Sequence, residues 1–149
     1  MKSIITILLG LFICLPLMAA DKDKEELEKT KSKAEKGDRV AQHNLGVMYE
    51  KGQGVEQDFK EAVKWFRKSA EQGDAIAQSN LGFMYENGQG VLVDDVTACA
   101  WYSIAATNGN NIAPRFKSEF LEPKMTPAQI AKAGELVKEM VKKNPKLLK

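Results

Sequence analysis

The residues that could carry out chemistry are few in this sequence, and they lie far apart. His43 is the only histidine, so neither a histidine-based metal cluster nor a histidine-paired nucleophile is available. Its counterpart in the internal repeat described below is Ser79, and we interpret His43 as a surface residue. Cys14 lies in an N-terminal run that we expect to be removed, which leaves Cys99 without a disulfide partner and favours a small buried side chain. The sequence therefore predicts no catalytic residue, no metal ligand and no cofactor site.

Four aspartates recur in two pairs, each pair separated by 36 residues: Asp38 with Asp74, and Asp58 with Asp94. Each precedes a segment with helical apolar spacing, where an aspartate caps the helix by accepting backbone N–H groups. Asp58 and Glu61 also have the spacing of an aspartate version of the capping box. We therefore assign these carboxylates to helix starts and not to acid–base catalysis.

The helix starts belong to an internal repeat, in which residues 35–70 match residues 71–106 without a gap and at nineteen of 36 positions. A fixed period of this size is typical of a solenoid. Each copy predicts two helices, which are joined by the sequence Gly-Gln-Gly-Val, where the glycines allow the chain to reverse. Gly46 lies beside the apolar face of the first helix and is expected to let a partner backbone approach closely. Trp65 and Trp101 are expected to pack beside the helix pair of their own repeat.

The duplicated pattern AQxxLGxxYExGQGVxxD, followed by Ala-x-x-Trp, resembles the Sel-1-like repeat, a relative of the tetratricopeptide repeat. The resemblance implies an all-α fold, a right-handed α-solenoid of antiparallel helix pairs with full repeats at 35–70 and 71–106. Solenoids need capping units at both ends. We expect an N-terminal capping helix or leader at 21–34, and a degenerate repeat with a C-terminal capping helix at 107–149. Residues 125–133 resemble the closing cap of many Sel-1-like proteins.

Residues 1–20 have the features of a secretory signal peptide: Lys2, an apolar run over 4–15, Pro16 and an Ala19-Ala20 end. The apolar run is too short to span a bilayer comfortably, although an uncleaved anchor is the alternative. We expect a periplasmic or secreted protein, cleaved near Ala19 or Ala20, with no stable membrane insertion after cleavage. Removing Lys2 from 22 basic residues leaves 21 against 20 acidic ones, a balance that gives no electrostatic case for nucleic acid.

The second copy differs from the first along one outward face. Lysines at 60, 64 and 68 become Val96, Ala100 and Ile104, and the loop pair Glu56-Gln57 becomes Leu92-Val93. We expect the C-terminal segment from about Ile112, which carries Phe116, Phe120 and Leu121, to cover these apolar residues. An exposed apolar patch that recruits a partner is the alternative. From Lys132 to Lys149 there are six lysines against two glutamates, which is the composition of a solvated, fraying tail.

In related solenoids the first helices of successive repeats line the concave surface. The side chains predicted to point there, and to bind a protein or peptide partner, are Val40, His43, Val47, Ile76, Ser79 and Phe83. Packing between adjacent first helices is the alternative for the same residues. The resemblance implies a non-enzymatic protein–protein interaction module. A cell-wall or β-lactam hydrolase, as reported for some secreted Sel-1-like proteins, is the second possibility, although the sequence lacks Ser-x-x-Lys and Lys-Thr-Gly.

Overall fold

The computed structural model describes residues 22–148, which form helices and short turns only. The predicted signal peptide at 1–20 lies outside the described residues. The helices are α1 (residues 22–35), α2 (Arg39–Lys51), α3 (Phe59–Ala70), α4 (Ala75–Asn87), α5 (Asp95–Thr107), α6 (Ala113–Arg115) and α7 (Pro127–Lys143). The chain continues from α6 in π-helical turns over Phe116–Leu121, and single 3₁₀ turns occupy Glu122–Lys124 and Pro145–Leu147. This is an all-α solenoid, in which α2 pairs with α3 and α4 pairs with α5.

The aspartates cap the helices as the sequence predicts. The Ala41 amide donates to Asp38 Oδ1 (2.7 Å), and the Thr97 amide donates to Asp94 Oδ1 (3.0 Å). The predicted capping box at Asp58 is wrong in one respect. The backbone N–H of Asp58 donates to the Tyr49 carbonyl, so the Glu61 carboxylate has no donor to return to and pairs with a lysine instead.

Two glycines in each connecting loop have different roles. Gly52 and Gly88 end the first helices in the left-handed region, at φ 69° and 68°, where a side chain would be strained. Gly54 and Gly90 also have positive φ. Gly54 lies against the N-terminal backbone of α1, and Gly90 lies against the N-terminal backbone of α3. A Cβ atom on Gly54 or Gly90 would collide with that backbone. The loop glycines therefore fix both the turn within a repeat and the spacing between repeats.

Each helix pair closes over a glycine that faces an aromatic ring. A Cβ atom on Gly46 would lie 2.6 Å from the Phe66 ring, and one on Gly82 would lie 2.7 Å from the Tyr102 ring. The sequence predicted close approach at Gly46, but the partner there is a ring and not a backbone. The reason is that the second helix places a large side chain at the point of closest contact.

The buried residues extend along the solenoid in three adjoining clusters. Leu27 and Ala34 of α1 pack with the first repeat. Trp65 and Trp101 are both buried, as predicted. Cys99 is buried as a small core side chain. Stability in residues 22–148 therefore comes from packing between successive helices.

The apolar outward face of α5 is covered, as the sequence predicts. Ala100 and Ile104 are fully buried and Val96 is half-buried, because α7 packs along α5. The prediction is wrong for Leu92, which is 89% exposed. Leu92 lies in the loop before α5, and α7 contacts the helix itself.

The aromatic residues expected to provide this cover lie against another face of α5. The Phe116 ring stacks on Tyr102 at 5.9 Å between centroids, and Leu121 is buried in the same cluster, whereas Phe120 is exposed. Leu147, after the end of α7, is buried in the cluster that contains Ile104. The chain beyond Asn144 is therefore docked on the repeats, and the expectation of a fraying tail is wrong as far as Leu148.

Candidate functional site

The first turns of α2 and α4 place two equivalent apolar side chains on one surface. Val40 and Ile76 are each 58% exposed, although both are branched hydrophobic residues. A depression of about 330 Å³ lies between them. It is lined by Arg39, Val40, His43, Gly73, Asp74, Ala75 and Ile76. Three of the six predicted partner residues, Val40, His43 and Ile76, are thus brought together.

His43 is half-buried between the first helices and is not the surface residue that the sequence suggested. Its Nδ1 lies 3.4 Å from Asn44 Oδ1, and its Nε2 lies 3.5 Å from Asn80 Nδ2 in the next repeat. Its ring centroid lies 5.7 Å from that of Phe66. The imidazole therefore forms part of the floor between two repeats, with no carboxylate or thiol among these contacts to support acid–base chemistry.

The other three predicted residues differ from one another. Val47 is partly buried against the core and, together with His43, lines a second depression of about 390 Å³ between α1 and α2. Ser79 is half-buried, and Phe83 is 39% exposed. Val47 thus contributes to packing between helices, whereas Phe83 presents part of an aromatic ring on α4.

Sequence reasoning missed Ile112 as a member of this surface. Ile112 immediately precedes α6, one period after Ile76, and is 60% exposed. The signal was present, because Ile112-Ala113 aligns with Ile76-Ala77 and with Val40-Ala41. We call Val40, Ile76 and Ile112 the apolar ladder, since equivalent side chains recur on three successive units with nearly equal exposure.

The ionisable groups near the core are arranged for structure. Burial raises the pKa of the Cys99 thiol, which favours its protonated form. Burial, and then the charge of Glu86, raise the pKa of Tyr102, whose hydroxyl donates to Glu86 Oε2 (3.0 Å). Residues 22–148 contain no group of three or more His, Cys, Asp or Glu side chains that could hold a metal ion. Within the same residues, every helix is too short or too polar to cross a bilayer.

Comparison with known proteins identifies the repeat. The Sel1 repeat family model matches residues 39–74 and 75–110. No curated protein sequence matches the chain.

Two solved structures are similar at 38% sequence identity. One is c5321, a protective antigen present in uropathogenic Escherichia coli strains that displays an SLR fold; the match has a TM-score of 0.77 and covers 83% of this chain and 27% of that one. The other is a Sel1 repeat protein from Oxalobacter formigenes, with a TM-score of 0.63 over 64% of this chain and 28% of that one. The chain thus spans about a quarter of the length of these relatives. The chain therefore contains two tandem Sel1 repeats and shares the solenoid fold of these structures.

Proposed function

We propose that the chain is a non-enzymatic interaction module that binds a protein or peptide segment on the face formed by α2 and α4, the first helices of the two repeats. Sel1 repeat proteins are generally scaffolds for protein interactions. The observation that carries the proposal is the apolar ladder. Its three side chains are exposed at the same position of successive units, where the packing of the helix pairs does not require apolar residues. Exposed apolar groups that form a continuous surface are typical of interaction sites.

We also propose that the protein is exported to the cell envelope or secreted, because residues 1–20 have the composition of an export signal. Comparison of the mass of the mature protein with that of the full chain tests this part directly. Loss of the first 19 or 20 residues and recovery of the protein from the periplasm or medium are expected. An intact N-terminus on a cytoplasmic protein would contradict it.

The partner-binding face can be tested by photo-crosslinking in the source cells. A photoreactive residue at position 40 or 76 should crosslink to the same partner, because both side chains line one depression. Val40→Ser with Ile76→Ser should weaken capture of that partner more than tenfold, or about 1.4 kcal/mol. Both side chains are more than half exposed, so helicity and melting should remain close to those of the wild type.

Leu92→Ser is the matched control, since Leu92 is an exposed apolar residue outside this face. It should leave capture unchanged. If the Leu92 variant weakens capture and the double variant does not, the partner binds at the loop. A loss of folding in the double variant would assign Val40 and Ile76 to packing.

The alternative of a cell-wall or β-lactam hydrolase requires a nucleophile with a positioned base. The only cysteine among residues 22–148 is buried, and the contacts of His43 include no nucleophile. Purified protein should therefore turn over the chromogenic β-lactam nitrocefin no faster than buffer. Turnover that is lost on denaturation would overturn the non-enzymatic assignment.

A further inference from the structure

The segment after α7 is bound to the repeats much as a peptide ligand would be. Helix α7 ends at Lys143, and Asn144–Leu148, which we call the tail segment, lies at the C-terminal ends of α3 and α5, where Asn144 contacts Glu71 and Leu147 contacts Asn108. Leu147 is only 3% exposed. Its carbonyl accepts hydrogen bonds from Gln78 Nε2 (3.0 Å) and Asn108 Nδ2 (2.6 Å). One carbonyl and one apolar side chain therefore account for most of the attachment.

The two amides that hold this carbonyl are oriented by the repeats themselves. Gln78 is fully buried, and its Nε2 also donates to the Ala70 carbonyl (3.0 Å). Asn108 Nδ2 also donates to Gln78 Oε1 (2.9 Å). Each amide thus uses one N–H group to fix its orientation and directs the other at Leu147. Because every peptide has main-chain carbonyls, these two amides recognise the peptide backbone. The apolar site that buries the Leu147 side chain supplies the selectivity.

The first repeat builds the same amide pair where the tail segment does not reach. Gln42 Nε2 donates to the Ala34 carbonyl (3.1 Å), and Gln72 Nε2 donates to Gln42 Oε1 (2.7 Å). Gln42, Ala34 and Gln72 lie one period of 36 residues before Gln78, Ala70 and Asn108, respectively. In the first repeat the Gln72 amide turns to the Gly37 carbonyl (3.2 Å). The amide pair is therefore a property of the repeat, and the tail segment makes use of it.

The backbone N–H groups of Leu147 and Leu148 donate within the tail segment, whereas its attachment to the repeats uses the Leu147 carbonyl and the side chains of Leu147 and Asn144. The Leu147 amide donates to the Asn144 carbonyl (3.1 Å), and the Leu148 amide donates to the Pro145 carbonyl (3.3 Å). Asn144 Nδ2 donates to the Glu71 carbonyl (2.9 Å). Pro145 and Lys146 are exposed. The segment could therefore leave as a single turn without disturbing the hydrogen bonds within α3, α5 or α7.

We propose that the groove formed by Gln78, Asn108 and the ends of α3 and α5 is a peptide-binding site, which the tail segment fills and which a partner peptide of the same chemistry can enter in its place. That chemistry is a leucine in a short turn whose carbonyl is free to accept two hydrogen bonds, preceded by an asparagine that reaches Glu71. The site shares no residue with the apolar ladder, so the proposal does not depend on the function proposed above. The tail segment acts as a built-in competitor for such a partner.

The test uses a fluorophore-labelled peptide with the sequence of residues 143–149, KNPKLLK, and the full chain. Leu147→Ser in the protein should release the tail segment, because a hydroxyl replaces the buried leucine. The peptide should then bind saturably in fluorescence anisotropy, at least tenfold more tightly than to the wild type. Lys146→Ser is the matched control, because Lys146 is exposed, and it should behave as the wild type does.

The amide pair is tested in the same assay. Adding Asn108→Ala to the Leu147→Ser protein should weaken peptide binding at least tenfold, and a peptide with serine at the position of Leu147 should not bind. A folded Leu147→Ser protein that binds the peptide no better than the Lys146→Ser control would overturn the proposal. Peptide binding that is unchanged by Asn108→Ala would overturn it too.

A second measurement covers the case in which Leu147→Ser prevents folding. Excess peptide added to the wild-type chain should displace the tail segment and speed hydrogen exchange at the Leu147 and Leu148 amides. The serine-substituted peptide should have no such effect. Exchange that does not respond to the leucine peptide at any concentration would show that the groove belongs to the tail segment alone.

Discussion

Asp94 accepts hydrogen bonds from both the amide (3.0 Å) and the hydroxyl (2.7 Å) of Thr97 at the start of α5. Burial alone would raise the pKa of Asp94, but these bonds and one from the Val96 amide hold it below its ordinary value. A carboxyl whose pKa is lower in the folded state stabilises the fold above its unfolded pKa, and this stabilisation is lost as the pH falls.

Asp94→Ala should therefore lower the free energy of unfolding by about 1 kcal/mol at pH 7. The penalty should shrink as the pH falls below about 4, the ordinary pKa of an aspartate in an unfolded chain, because the unfolded chain then binds the proton more readily than folded Asp94 does. Denaturant unfolding at pH 7 and pH 3 measures the difference. Asp94→Asn is the control, because asparagine is a neutral helix cap. This variant should lose only the pH-dependent part of the stabilisation. A penalty for Asp94→Ala that is equal at both pH values would contradict this assignment.

For individual residues, the sequence predicted the buried faces well, because each position of the repeat occurs in two copies. It predicted the environment of His43 less well. That side chain meets Asn80 of the next repeat, and spacing along one helix cannot show contacts between repeats. Val47 and Phe83 are equivalent by period, yet the first is partly buried and the second 39% exposed. Burial at such positions depends on neighbouring units, which need not be alike.

The helix pairs depend on how closely a glycine lets a ring approach. A methyl group on Gly82 would lie 2.7 Å from the Tyr102 ring, which Phe116 and Glu86 hold in place. Gly82→Ala should therefore destabilise the fold by about 1–3 kcal/mol through overpacking. Thermal and denaturant unfolding provide the measurement.

Gly134→Ala on α7 is the matched substitution, because a Cβ atom there would meet nothing within 4 Å. It should stabilise the protein by about 0.5–1 kcal/mol, since alanine favours a helix interior over glycine. If both alanine variants change stability in the same direction, the close approach at Gly82 is not what limits that position.

The sequence predicted that the outward face of α5 would be covered, but it did not indicate which helix would cover it. The change from lysines to Val96, Ala100 and Ile104 shows that this face needs a partner. Whether α6 or α7 supplies it depends on the path of the chain after Glu122–Lys124, which no local pattern determines. The buried position of Leu147 was not predicted either, because the lysines around it in the sequence indicate a solvated segment.

The whole solenoid depends on its C-terminal units to close the last repeat. A chain that ends at Gly109 would expose Ala100 and Ile104 to water. Burial of a side chain such as Ile104 contributes about 1.5–3 kcal/mol, a large share of the 5–15 kcal/mol typical of a domain. The shortened chain should therefore aggregate or bind a dye for apolar surfaces, as seen by light scattering and fluorescence.

A chain that ends at Lys143 is the control, since it keeps α7 on α5 and loses only the tail segment. It should stay monomeric with a lower melting temperature. If the chain that ends at Gly109 is also monomeric and melts normally, α7 contributes little to the stability of the repeats.

The outward faces of α3 and α5 also distinguish a unit that tolerates water on that side from one that needs a cover. Lys60, Lys64 and Lys68 keep the outward face of α3 in water, whereas the matching face of α5 is covered by α7. The first copy lies between α1 and the second copy, whereas the second copy is followed by the C-terminal units that cover α5. Further copies of residues 35–70, inserted after Ala70, would extend the rod by whole periods. The backbone contact of each loop glycine and the final cap would both be preserved.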